Sequence, residues 1–267
     1  MSTKRTSLFI ALALSLVLTL SYGCTAPSGR EAQLKNTTLQ IKQAVQSEMN
    51  SLDLDISAAA SQLSTTGLSG TEARQILNRL VGKYPFIIDC AIGDDAGNMV
   101  TVAPETYSSF EGSYIGTQNV TQPILDNMFT AVEGMDAVAL IWPIFSDKGD
   151  FMGTLSALFK PEALLAPIVE PIIKDTGIAV DVMQLDGLNL YDSQGTDTGL
   201  NLFTDPAFQP YTDLIALGNR MVAEESGSGS YTIISHSTGK TIKKDAFWAS
   251  VSLHGTAWRV MSALVIE

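Results

Sequence analysis

The chain predicts an α+β protein built from two tandem copies of one small module, each with a central antiparallel sheet, strung along a long N-terminal helix. Three observations predict it. First, the stretch Ala139 to Phe159 is written again near the C-terminus as Asp245 to Val265. At one constant offset Trp142 meets Trp248, Gly149 meets Gly255, and Ser156-Ala157-Leu158 meets Ser262-Ala263-Leu264. Both copies alternate apolar and polar residues about a glycine-bearing turn, as a two-stranded hairpin does. Second, a strand–turn–strand unit stands upstream of each hairpin: Phe86 to Ile92, Gly93 to Gly97 and Met99 to Val102 in the first copy, then Ile178 to Met183, Leu185 to Gly187 and Leu188 to Tyr191 in the second. Third, Glu31 to Ser64 holds no Pro or Gly, and Leu34, Ile41, Val45, Met49, Leu52, Ile56 and Leu63 recur at helical spacing. Such a helix is about 50 Å long, the height of two stacked modules.

Composition sets the bounds. The 267 residues are 45% apolar and only 16% charged, enough for two modest cores and too apolar for disorder. Sixteen basic residues face 28 acidic ones, a net charge of -12, with no basic run beyond the first five residues. Phosphate binding needs a positive surface, so a nucleic-acid partner is excluded.

In chain order, residues 1–23 read as a signal peptide: Lys4 and Arg5 precede an apolar run, Leu8 to Leu20, too short to span a membrane comfortably. Gly23-Cys24 after that run is similar to the lipobox of exported lipoproteins, which implies lipidation of Cys24, although Ser21 stands where leucine is usual. Residues 24–30 then form the anchor linker, 31–64 the spine helix, 65–160 the first module and 161–267 the second. Cys90 has no partner once Cys24 is lipidated and reads as core filling in an apolar strand. Thr65 to Gly70 breaks the spine, and Thr71 to Leu80 is a second helix with Ser69 or Thr71 as its cap. Ala103 to Val132 is an irregular insertion whose last part, Thr121 to Val132, reads as helical. Pro161 starts a connecting helix interrupted by Pro167 and Pro171. Glu224 to Ser230 reads as a flexible exposed loop.

No catalytic pattern is present: no Gly-x-Ser-x-Gly, no His-Glu-x-x-His, no phosphate-cradling loop, no Cys/His set with ligand spacing. His236 and His254 read as strand-edge residues. Asp94-Asp95 and Asp147 to Asp150 are explained by turn chemistry without a metal. No enzyme activity, cofactor or metal is expected.

Phe86 to Ile92 with its Asp95/Gly97 turn, then Trp142-Pro143-Ile144 leading through Gly149 to Gly153-Thr154-Leu155, resemble the double Cache domain, the PAS-like extracytoplasmic sensor of chemoreceptors and sensor kinases. The resemblance covers about Glu31 to the C-terminus. It implies a membrane-distal first module, a proximal second one, and a small molecule bound between the distal sheet and its insertion. It also implies, in members that bind amino acids or amines, an arginine in the insertion and an aspartate in the last distal strand. Here Tyr107 to Val132 has no Arg or Lys, and Gly153 to Phe159 no acid. The ligand expected from that gap is uncharged or weakly polar, and Tyr107, Phe110, Tyr114 and Trp142 are its candidate contacts, with Phe145 a weaker candidate read as core. The chain stops after the second module, so a sensor held on the outer face of the cytoplasmic membrane by its lipid would need a membrane receptor or kinase in trans. The alternative is an envelope adaptor that kept the fold and lost the pocket.

Overall fold

The computed structural model describes residues 29–235 and 238–266. The signal peptide, Cys24 and His236 lie outside the described residues. Helix α1 (Gly29–Thr66) runs as one piece of 38 residues. Helix α2 (Thr71–Lys83) follows, with Gly70 and no side-chain bond at its N-cap, so neither Ser69 nor Thr71 caps it.

Strands β1 (Ile87–Asp94), β2 (Met99–Ala103), β3 (Ile124–Leu125), β4 (Phe129–Thr130), β5 (Asp136–Phe145) and β6 (Phe151–Phe159) make the first sheet. Its order is β2-β1-β6-β5-β3, with β4 also on β5. Helix α3 (Pro161–Ile173) connects to β7 (Ala179–Gln184), β8 (Asn189–Asp192), α4 (Thr212–Ala223), β9 (Ser226–Ile234), β10 (Thr241–Leu253) and β11 (Thr256–Val265). The second order, β8-β7-β11-β10-β9, repeats the first strand for strand, and all pairings are antiparallel. The fold is two antiparallel sheets with helices on a common spine.

The spine joins both cores because one stripe of it is apolar throughout. Leu34, Ile41, Val45, Met49, Leu52, Ile56 and Leu63 are buried and share a cluster with Leu140, Ile144 and Leu155 of the first sheet and Val251, Trp258 and Val260 of the second. Thr38 sits in that stripe and bonds the carbonyls of Leu34 and Phe247, so its hydroxyl is not orphaned. The N-terminal half of α1 meets the second module, through Thr38 to Phe247 and Gln46 to Ser252. Its C-terminal half meets the first, where Asp55 takes Lys83 and the Tyr84 hydroxyl.

Two local expectations are corrected. Thr121 to Val132 is not helical: Ile124 and Leu125 pair with Ile141 and Leu140, and Phe129 and Thr130 with Ala137 and Asp136. The free edge of β5 outcompetes a helix there. Glu224 to Ser230 is no flexible loop, because Ser226 onward is β9, hydrogen-bonded along β10. A Cβ on Gly227 would stand 2.3 Å from Trp248, so the glycine marks close packing in a strand. Cys90 is free and buried, its thiol raised by burial. Among the described residues no helix is long and apolar enough to cross a membrane.

Candidate functional site

Side chains alternate across a strand, so each sheet presents one face to the spine and the other to its own insertion. In the first module Ile87, Cys90, Ile92, Leu140, Leu155 and Phe159 face the helices. Register places Asp89 beside Leu158 and Ala139, and Ala91 beside Ser156 and Ile141, on the opposite face. The irregularity between Ile87 and Asp89 is what lets an isoleucine and an aspartate two apart point to different sides.

The insertion closes over that face. Ile115 N–H bonds Gly97 O, the Thr154 hydroxyl bonds that of Thr117, and Asp126 N–H bonds Ala139 O. Gly153 is needed below: with φ of 150° it lies so close to β1 that a Cβ would stand 2.0 Å from Gly93 O. Between sheet and insertion is a cavity of about 500 Å³ floored by Asp89, Ala91, Ala139, Ile141, Ser156 and Leu158. Its walls come from residues 114–117, Val120 and residues 124–133.

Among the described residues three carboxyl groups line this cavity, Asp89, Asp126 and Glu133, and no Lys, Arg or His does. Asp89 is 2% exposed, and burial, with the Glu133 charge beside it, pushes its carboxyl up to about 7. Burial raises Asp126 and Glu133 as well. Asp89 Oδ2 and Glu133 Oε1 accept no hydrogen bond among the described residues. Buried carboxylates without donors are costly, and a cation among them would be held strongly. Phe129 and Tyr114 add ring faces that suit a cation.

Of the four candidate residues, the cavity brings in Tyr114 alone, 60% exposed at the rim and hydrogen-bonded to Gln118. Tyr107 and Phe110 stack on each other, centroids 6.3 Å apart, and pack against Met99 and Val102 outside the lining. Trp142 stands on the spine face, where its Nε1–H donates to Asp53 at 2.6 Å. His254, at the β10–β11 turn, donates to the same oxygen at 2.6 Å, and its ring meets the Trp142 ring edge-on. Phe145 is not core: it is 38% exposed at the end of β5, against Phe151. Asp94 serves the backbone as expected, accepting the N–H groups of Ala96 and Asn98, whereas at the Asp147 to Asp150 turn it is the Ser146 hydroxyl that accepts from the N–H groups of Lys148 and Asp150. Among the described residues no group of acids, His and Cys could hold a metal.

The acids were missed although a signal for one existed. Asp89 in Phe86-Ile-Ile-Asp-Cys-Ala-Ile92 and Asp181 in Ile178-Ala-Val-Asp-Val-Met183 are each an acid inside the apolar first strand of a copy, although register sets Asp181 at the place of Ala91, two residues along on the same face. A charged residue at a core position is the informative kind of exception.

Residues 47–161 match the family described as HK/GC/chemotaxis protein-like, sensor domain. No curated protein matches the chain. Among solved structures, the chain is similar to an extracellular ligand-binding receptor from Desulfohalobium retbaense, with TM-score 0.73 and 29% identity over 88% of this chain and 40% of that one. The chain thus spans 40% of that receptor's length. It is also similar in fold to the ligand-binding domain of the Pseudomonas aeruginosa PAO1 amino acid chemoreceptor PctB in complex with L-Gln, at TM-score 0.60 and 16% identity over 88% of this chain and 90% of that one. The chemoreceptor PctC of the same organism, in complex with GABA, gives TM-score 0.60 and 16% identity over 90% and 100%.

Proposed function

We propose that this chain, whose residues 47–161 match the HK/GC/chemotaxis protein-like sensor domain, is an extracytoplasmic sensor of tandem Cache type whose membrane-distal first module binds a small amine. That class consists of ligand-binding sensor domains of receptors, not enzymes. The observation that carries the ligand class is the cavity with three carboxyl groups and no basic side chain. PctB and PctC are seen with amino acids, which offer a carboxylate as well as an ammonium. This cavity has no cation to receive the carboxylate, so an amine without one fits better. The expectation of an uncharged ligand gives way for a physical reason: the acids arrive from β1 and from the segment after Pro123, not from the last distal strand.

Cys24 supplies the lipid anchor, and a membrane receptor or kinase in trans receives the ligand state. Labelling of the exported protein with a fatty acid, abolished by Cys24→Ser, tests the anchor. The ligand is tested by thermal unfolding with putrescine, ethanolamine and choline against GABA and L-Gln. Ligand stabilises by RT ln(1 + [L]/Kd), about 2.7 kcal/mol at a hundredfold excess over Kd. The amines should stabilise the chain and the amino acids should not, and Asp89→Asn should remove the effect. Equal stabilisation by both sets would overturn the amine assignment. An open cavity of about 500 Å³ speaks against the adaptor alternative, which needs the space filled by the protein's own side chains.

A further inference from the structure

The second module also carries an acid on the insertion face of its first strand, but surrounds it differently. Asp181 holds in β7 the place of Ala91 in β1, two residues along from Asp89 on the same sheet face, and register sets it between Met261 of β11 and Asp192 of β8. Lys244 of β10 stands opposite Tyr231 of β9. Asp181 and Lys244 both line a cavity of about 90 Å³ between this sheet and α4. Lys244 is 7% exposed, and its ammonium has neither a hydrogen bond nor an ion pair within 4 Å among the described residues. Lysine is almost never buried in that way unless paired. Asp192 is already spent, its oxygens taking the N–H groups of Gln194, Thr196 and Asp197. Asp181 feels Lys244 from beyond ion-pair distance, while burial first and Asp192 second push its carboxyl up to about 7.

Asp197 also lines the cavity, so one cation borders it with three acids, and Lys244 and Asp181 border it without meeting, which leaves room for a molecule between them. We propose that the second module has its own ligand, a short-chain carboxylate bearing a hydroxyl or ammonium group, with its carboxylate on Lys244 and its donor on Asp181. The charge pattern separates this site from the first, which has acids alone and would repel an anion. Size limits the ligand: the cavity takes several waters at about 10–15 Å³ each, or a molecule of about six non-hydrogen atoms in their place. Met183, Met221 and Met261 form an adaptable apolar wall for a short alkyl group.

The test uses the full chain with glycolate, L-lactate and glycine as probes, acetate as the control lacking a donor, and methylammonium as the control lacking a carboxylate. Calorimetric titration at millimolar concentration should show saturable binding of at least one probe and of neither control. Affinity should fall by about tenfold or more in Lys244→Met, and Asp89→Asn should leave it unchanged, so failure here is separable from failure of the amine site. Should Lys244→Met fail to fold, methyl resonances of the wild-type protein decide. Shifts at Met183, Met221 and Met261 on probe addition support the site. No saturable binding, binding retained in folded Lys244→Met, or shifts confined to methionines of the first module would overturn it.

Discussion

Burial moves the Asp89 carboxyl from its ordinary 3.8 to about 7, so between those values the folded chain holds a proton that the unfolded chain has released. Stability therefore falls as pH climbs through that window and levels off above about 7, the reverse of a salt-bridged aspartate. Asp126 and Glu133, also raised, add slope of the same sign. Asp89→Asn should stabilise the ligand-free protein at pH 8 by roughly 1–3 kcal/mol and flatten its stability between pH 4 and 7, read from urea unfolding at a series of pH values. The same substitution should weaken putrescine binding. An aspartate kept where it costs stability is the mark of a group retained for function, so a destabilised Asp89→Asn would sink this account. Amine affinity for the wild type should rise as pH passes through about 7, because only the ionised carboxyl attracts the ammonium.

The elements that sequence reasoning recovered are those whose pattern is long and repeated. The apolar stripe of α1 and the two copied hairpins needed no tertiary information, because period and duplication are local facts. Two segments were not legible for the same reason. Thr121 to Val132 has residues a helix accepts, yet the unpaired edge of β5 claims its backbone. Gly227-Ser-Gly-Ser230 has the composition of a linker, yet Gly227 and Gly229 are small because Trp248 and Leu217 press on them. The cavity acids were hidden likewise: Asp126 and Glu133 converge with Asp89 only through the strand pairing that a helical reading denies. The β9 assignment predicts a contrast between neighbours. Gly227→Ala should cost about 1–3 kcal/mol in thermal or urea unfolding as its Cβ meets the indole, whereas exposed Ser228→Ala should stay within about 0.5 kcal/mol. Equal and small effects at both would mean the segment is loose.

Both modules hang on one helix, but they also touch through the walls of the first cavity. The Thr256 hydroxyl bonds Leu125 O at 2.5 Å, and Met128 N–H bonds the Gln184 side chain at 2.6 Å, so the stretch carrying Asp126 and Phe129 is tied to the second sheet on both sides. On the far face of β5, Asp53 of the spine gathers Trp142 from the first module and His254 from the second onto one oxygen. Asp53→Ala would leave two donors without an acceptor, at about 2–3 kcal/mol. Trp142→Phe in that background should add less than it does alone, because the two share one bond network. If an ammonium entering the cavity draws residues 124–133 inward, the shift reaches the β10–β11 turn through Thr256 and the β7 end through Gln184. Saturation with a bound amine should then slow hydrogen exchange at residues 253–256. Gln184→Ala combined with Thr256→Val should abolish that slowing while leaving amine affinity within about threefold, since neither residue lines the first cavity. Slowing that persists in the double variant would mean that the spine alone couples the modules.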